Sequence, residues 1–146
     1  MLIGGKDLPV KLSALCRSEG IEYLGFVESL DDFFGSFDIF VAPLDFGAGV
    51  KIKVLQAMAY GCPTITTRIG AEGIAHGRCG LLIHDNNREI ADAVVRLADN
   101  PQAREDLARQ SRQYAESRFS WNKKKEFLME RIEDSIEKHN AEVRGS

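Results

Sequence analysis

The stretch "APLDFGAGVKIKVLQAMAYGCPTITT", residues 42–67, decides the fold. It reads as a strand end, a glycine-rich turn, two lysines, an apolar helix, a Gly-x-Pro stop and a second strand. A helix entered directly from one strand and followed by another is the repeating unit of a parallel α/β sheet. Val54, Leu55, Ala57, Met58 and Ala59 make the helix core-like. Lys53, Gln56 and Tyr60, at i, i+3 and i+7, share its one polar face. Gly61 and Pro63 mark its end.

Working outward, Asp38 to Leu44 (DIFVAPL) is an apolar strand of the kind buried on both faces. Ile21 to Val27 is a strand, and Met1 to Gly4 is a short one. Between them Leu8, Leu12 and Leu15 fall on one face of a helix that Gly20 ends. Ser29 caps a short helix in SLDDFFGSF. Downstream, 68–78 is a Gly-rich loop and Cys79 to His84 the last strand. Three helical segments follow, near 87–98, 101–117 and 121–139. Asn100-Pro101 is a capping residue followed by proline at the first helical position, and Ser120 is placed to cap the last helix. Trp121, Leu128, Ile132 and Ile136 form its apolar stripe. The fold class is α/β, a Rossmann-like parallel sheet with flanking helices. The expected organisation is a core over 1–86, helices over 87–140 packing on the same domain, and a disordered tail over 141–146.

Composition narrows function. The chain has 146 residues and 44% apolar content, enough for one core. A net charge of −3 argues against general nucleic-acid binding. Cys16, Cys62 and Cys79 lack metal spacing and read as reduced thiols of a cytosolic protein. His76, His84 and His139 form no ligand pattern. No signal peptide or bilayer-spanning apolar run is present. The expected location is cytoplasmic, with attachment to the inner face of the membrane through a partner domain left open.

The chemistry centres on the loop after the strand at 38–44. In an open parallel sheet, ligands bind beyond the carboxyl ends of the strands. Gly47 and Gly49 allow close backbone approach. The helix behind them points its free N–H groups and positive dipole end at the same place, where a phosphate fits. Lys51 and Lys53 oppose that dipole unless an anion offsets them. Spacing alone leaves a second reading open, a Gly-containing loop with two solvated lysines.

This stretch resembles the C-terminal, nucleotide-sugar-binding domain of glycosyltransferases with the GT-B fold, most closely family 4, the "group 1" glycosyltransferases. The resemblance runs from about Leu2 to Trp121. It is carried by IGG at 3–5, YLGFVESLDDFF at 23–34, DIFVAPL at 38–44, GAGVKIKVLQAMAYGCPTITT at 47–67, GAEGI at 70–74, CGLLI at 79–83 and RFSW at 118–121. The resemblance implies a donor site for a nucleoside diphosphate sugar. The positions matching Phe46, Gly47, Ala48, Gly49, Val50, Lys51 and Lys53 face the diphosphate and sugar. The position of Gln56 holds the ribose hydroxyls, and the backbone of Gly25, Phe26 and Val27 frames the base. No metal or other cofactor is implied, and transfer in the family mostly retains anomeric configuration.

Two departures stand out. The family often has two glutamates where this chain has Ala48 and Gln56. An amide offers one acceptor and one donor where a carboxylate accepts from both ribose hydroxyls, so weaker ribose binding is expected. By the same resemblance Met1 falls at the second strand of the domain. The preceding strand, its Arg/Lys pair and the acceptor-binding N-terminal domain then lie outside the chain. The strands at 2–4 and 38–43 are thereby expected to rearrange, to pair directly or to exchange between chains.

Among other residues, Glu72 lies near the expected donor sugar and can accept from its hydroxyls, or it is a surface residue of its loop. His76, Asp31, Asp32 and Asp45 read as solvated. Trp121, Phe127, Leu128 and Ile132 are expected to pack on their own domain, the alternative being a patch for self-association. The sequence thus reads as the donor-binding half of a cytosolic glycosyltransferase acting on a glycan or lipid-linked acceptor, inactive alone. The alternative is a non-catalytic nucleotide-sugar-binding or interaction module. A sugar-nucleotide epimerase of the same fold is a weaker third, because its acid/base carboxylates are not evident.

Overall fold

The computed structural model describes residues 2–4, 21–121, 125–126, 128–133 and 135–136. The expected helix around Leu8, Leu12 and Leu15, together with Cys16, Phe127, His139 and the tail 141–146, lies outside the described residues.

The described strands are β1 (Leu2–Gly4), β2 (Glu22–Gly25), β3 (Phe40–Ala42), β4 (Thr64–Thr66) and β5 (Leu81–Ile83). The described helices are α1 (Leu30–Gly35), α2 (Ile52–Ala59), α3 (Asn87–Ala98) and α4 (Pro101–Phe119). All ladders are parallel, β1 on β2 and β3-β4-β5 in that order. The chain is therefore α/β, as the alternation of elements predicts.

Each strand is shorter than its apolar run, for local reasons. Pro43 has no N–H to extend β3, and Gly25 turns the chain at φ +67°. Helix starts follow their caps. Ser29 Oγ accepts from Asp32 N at 3.2 Å, and Asn100 Oδ1 from Ala103 N at 3.0 Å. Asn86 Oδ1 does the same for Arg88 N at 2.8 Å, opening α3.

Period-two alternation sorts the three-stranded sheet into two cores. Phe40, Ala42 and Leu81 face a cluster with Val54 and Met58 of α2 and Tyr114 and Ala115 of α4. Val41, Ile65 and Leu82 face Ile90, Ala93 and Leu97 of α3. β4 is buried throughout, which its threonines tolerate by bonding backbone. Thr64 Oγ1 donates to Cys62 O at 2.8 Å, and Thr66 Oγ1 to Ala42 O at 2.8 Å. α4 contributes Ala103 and Leu107 to one core and Tyr114 and Phe119 to the other.

Of the three arrangements expected for β1 and β3, direct pairing is excluded among the described residues: each strand spends its ladder on its own neighbour. Among the described residues, aromatic packing links the two sheets. A Cβ on Gly4 would lie 3.0 Å from the Phe33 ring, which contacts Phe37 at a centroid distance of 4.9 Å. Phe37 in turn stacks on Phe40 at 6.2 Å. In the C-terminal segment the described residues from Trp121 onward are helical. The expected apolar stripe is exposed where it is described. Trp121 is 78% exposed, and Leu128, Ile132 and Ile136 are exposed too. Among the described residues the core clusters end at Phe119. Periodicity fixes which residues share a face, not what covers that face.

Candidate functional site

The loop 43–51 carries the chain from the carboxyl end of β3 to the start of α2. Gly47 and Gly49 adopt φ of +117° and +73°, values that strain any side-chain-bearing residue. Their exposed backbone lies beside Phe46, which is 87% exposed, and the exposed Val50 and Ala48.

α2 begins without a side-chain cap and without an acidic residue in its first turn. Val54 N and Leu55 N both donate to Lys51 O, at 2.9 and 3.1 Å. The amides of Ile52 and Lys53 precede those bonds and carry the helix's positive end. Lys53 is exposed and has no hydrogen bond or ion pair among the described residues. Lys53 is thus the second residue of a helix whose N-terminus has no side-chain cap.

Lys51 behaves differently. Its side chain is only 11% exposed. Its Nζ donates to Gly49 O at 2.6 Å and to Glu72 Oε2 at 3.3 Å. Glu72 belongs to the turn following β4. That turn is held by buried Ala71 and Ile74, and Tyr114 Oη donates to Ile74 O at 2.7 Å while accepting from His76 N at 3.1 Å. It also presses on the glycine loop: a Cβ on Gly73 would sit 2.9 Å from Val50 Cγ2. Gly47, Gly49, Val50, Lys51, Lys53 and Glu72 therefore form one constellation.

Gln56 lies on α2 one turn beyond Lys53 and is half-buried, and Tyr60 follows on the same polar stripe. Gly25 ends β2 on the other sheet piece, and Val27 lies in the turn that follows, where it packs on Gly4. The two turns leave the carboxyl ends of their respective strands.

Two supports were not read from the sequence. Thr67 Oγ1 donates to Leu44 O at 2.6 Å and accepts from Gly70 N at 3.1 Å, joining the start of the glycine loop to the Glu72 turn. Paired threonines at a strand end followed by glycine are the local signal. The other is Tyr60, whose hydroxyl donates to Asp31 Oδ1 at 2.7 Å, so Asp31 is exposed but not merely solvated.

A separate open cleft of about 510 Å³ lies beyond β4 and β5, lined by Arg68, Ile83, His84, Asp85, Asn86 and Glu89. Its polar groups are paired internally, Arg68 with Asp85 and His84 Nδ1 with Glu89 Oε2 at 3.3 Å. The Arg68 backbone N–H, and then its guanidinium, hold the Asp85 carboxyl below the usual range. Among the described residues no group of three or more His, Cys, Asp or Glu is placed to hold a metal ion, and no helix is long and apolar enough to cross a membrane.

The chain resembles known proteins in sequence and in fold. Residues 1–100 match the model of the family described as glycosyl transferases group 1. A D-inositol 3-phosphate glycosyltransferase of Paenarthrobacter aurescens is 32% identical over 110 residues, 73% of this chain and 26% of that protein. Spore coat protein SA of Bacillus subtilis is 34% identical over 96 residues, 63% of this chain and 26% of that protein. Anabaena HepE, solved in complex with UDP, aligns over 91% of this chain and 40% of its own, with a TM-score of 0.78 and 15% identity. WaaG, a glycosyltransferase involved in lipopolysaccharide biosynthesis, aligns over 81% of this chain and 34% of its own, with a TM-score of 0.68 and 21% identity. The structural likenesses bear on fold, and the chain spans about a quarter of the length of the relatives it matches in sequence. By the family match over most of its length, this chain belongs to the group 1 glycosyltransferases, with the parallel α/β architecture of their GT-B structures.

Proposed function

We propose that this chain is the donor-binding part of a glycosyltransferase that moves a sugar from a nucleoside diphosphate sugar to a glycan or lipid-linked acceptor. The observation that carries the reading is the start of α2. An uncapped helix end, an exposed Lys53 without a partner among the described residues and the exposed backbone of Gly47 and Gly49 follow one another along the loop and the first turn of α2. A diphosphate there receives backbone N–H bonds and a cation without a metal ion. As the bond from sugar to diphosphate breaks, charge grows on the leaving oxygen, and the same donors stabilise it. Gln56 is the residue for the ribose hydroxyls. The turn carrying Gly25, Phe26 and Val27 is the frame for the base.

UDP and UDP-glucose complexes among the fold neighbours support a nucleotide sugar as ligand. The length of the relatives supports an acceptor site on a further domain. Transfer with retention, a role in polysaccharide or glycolipid synthesis and a cytoplasmic location belong to the same reading. So does self-association of the isolated chain through the exposed Trp121, Leu128, Ile132 and Ile136 stripe.

Calorimetric titration with UDP, GDP and ADP tests the reading. One nucleotide binds, and Lys53→Ala weakens it about tenfold or more, the worth of a charge-assisted bond. The purified chain alone transfers no sugar; detectable transfer contradicts that part. A second reading, a non-catalytic nucleotide-sugar-binding module, is favoured by the amide of Gln56 where a carboxylate serves ribose better. The DNA upstream of the Met1 codon separates the two: an in-frame Rossmann half supports the enzyme, a stop codon and ribosome site the module.

A further inference from the structure

We infer that Lys51 and Glu72 form a sugar-selecting pair, in which Lys51 positions the Glu72 carboxylate to accept hydrogen bonds from a neutral, hydroxyl-rich sugar. The inference rests on the donor reading above and assigns the two lysines of the glycine loop different tasks.

Lys51 is not free to serve a phosphate. It is 11% exposed, and two of its three N–H donors are committed, to Gly49 O at 2.6 Å and Glu72 Oε2 at 3.3 Å. Lys53, exposed and without such partners, is the cation for the diphosphate. What Lys51 does hold is a carboxylate. Glu72 is 53% exposed, and its other oxygen, Oε1, has no partner among the described residues.

A carboxylate at the rim of an anion site is costly, since like charges repel. It belongs there only for a part of the ligand that donates hydrogen bonds and carries no negative charge. In a nucleoside diphosphate sugar two rings meet that description, the ribose, which the donor reading gives to Gln56, and the transferred sugar, which is left for Glu72. The Lys51 ammonium donates to one oxygen of Glu72, leaving the second to accept from a hydroxyl.

The carboxylate is also held still. The turn that carries it is anchored through Ile74 and Tyr114, and Gly73 lies against Val50. A group preset in this way discriminates without first paying to be ordered. The same charge disfavours an acidic sugar. Lys51 is thus a positioning residue acting through Glu72.

The test compares UDP, UDP-glucose and UDP-glucuronic acid, with GDP and GDP-mannose as the alternative set, in calorimetric titrations of the full chain. The unaltered chain binds the neutral sugar nucleotide more tightly than the bare nucleotide and the glucuronate more weakly. Glu72→Gln, which keeps the shape, costs about tenfold for the neutral sugar nucleotide, leaves the bare nucleotide unchanged and narrows the gap to the glucuronate. Lys51→Met reproduces the pattern. Lys51→Glu combined with Glu72→Lys restores the ion pair and the melting temperature but turns the preference toward the glucuronate. A purely structural pair would instead be rescued in both respects. If Glu72→Gln shifts bare and sugar nucleotides equally, or neither, the inference is overturned while the donor reading stands. If the folded, unaltered chain binds no nucleotide, both are overturned.

Discussion

Tyr60 Oη donates a 2.7 Å hydrogen bond to Asp31 Oδ1 while the Tyr60 ring stacks on Phe34 at 4.7 Å and 18°. The pair ties the end of α2 to α1, and so fixes the helix whose other end faces the glycine loop. Tyr60→Phe keeps the stack and loses the bond, so the urea midpoint falls without change in the m-value. The bond to Asp31, then burial, then the Asp31 charge hold the Tyr60 phenol above its ordinary value. A raised folded-state pKa means the contribution is whole below pH ~10 and is lost as pH rises through the folded value. Tyr60→Phe therefore flattens the alkaline end of the stability profile; an unchanged slope contradicts the assignment.

Cys62 is buried, with its Sγ 3.6 Å from Phe34 O. Burial pushes its thiol up to about 11. It is therefore a protonated, shielded thiol at neutral pH. Iodoacetamide labelling at pH 8, read by peptide mass spectrometry, modifies Cys62 and the buried Cys79 slowly, and at the free-thiol rate once urea unfolds the chain. Native-state labelling of Cys62 at the free-thiol rate contradicts the packing. The sign for stability matches that of Tyr60: the contribution is whole below the unfolded value of ~8.5 and disappears as pH rises through about 11.

α4 approaches the sheet closely at one point. A Cβ on Gly80 would fall 2.3 Å from Ser111 N and 2.5 Å from Ser111 Cα, and Gly80 has φ +72°. Gly80→Ala combines overpacking with backbone strain and costs about 3 kcal/mol or more. Ser111→Gly does not rescue it, because the colliding atoms are backbone. Thermal melts of the single and double variants measure this; a neutral Gly80→Ala would show that the helix yields.

Gln56 carries a prediction specific to ribose. Gln56→Glu replaces an amide by a group that accepts from both hydroxyls. It tightens UDP or GDP binding about tenfold and leaves the corresponding 2′,3′-dideoxynucleotide almost unchanged. Equal effects on both nucleotides contradict a ribose role.

The alternation of elements and the caps were legible from local signals. Asn100-Pro101 announced α4, and Ser29 announced α1. Strand limits were less legible, since Pro43 and Gly25 cut apolar runs that otherwise continue. At the site, the glycines and Lys53 were readable because loop, helix end and cation are adjacent in sequence. The Lys51–Glu72 pair spans 21 residues and exists only once β4 lies beside β3. Thr66 and Thr67 looked like ordinary strand formers, yet they bond Ala42 O and Leu44 O across that same ladder. The C-terminal stripe was legible as a stripe, but no local pattern specifies whether a helix face is covered.

The most direct test of the donor site is an amide-resolved NMR titration of the full chain with the nucleotide that binds most tightly among UDP, GDP and ADP. The largest shifts are expected at the amides of Gly47, Gly49, Ile52 and Lys53, with smaller ones toward Gln56, and they are lost in Lys53→Ala. Shifts confined to the Arg68–His84 cleft, or no shifts in a folded sample, would contradict it.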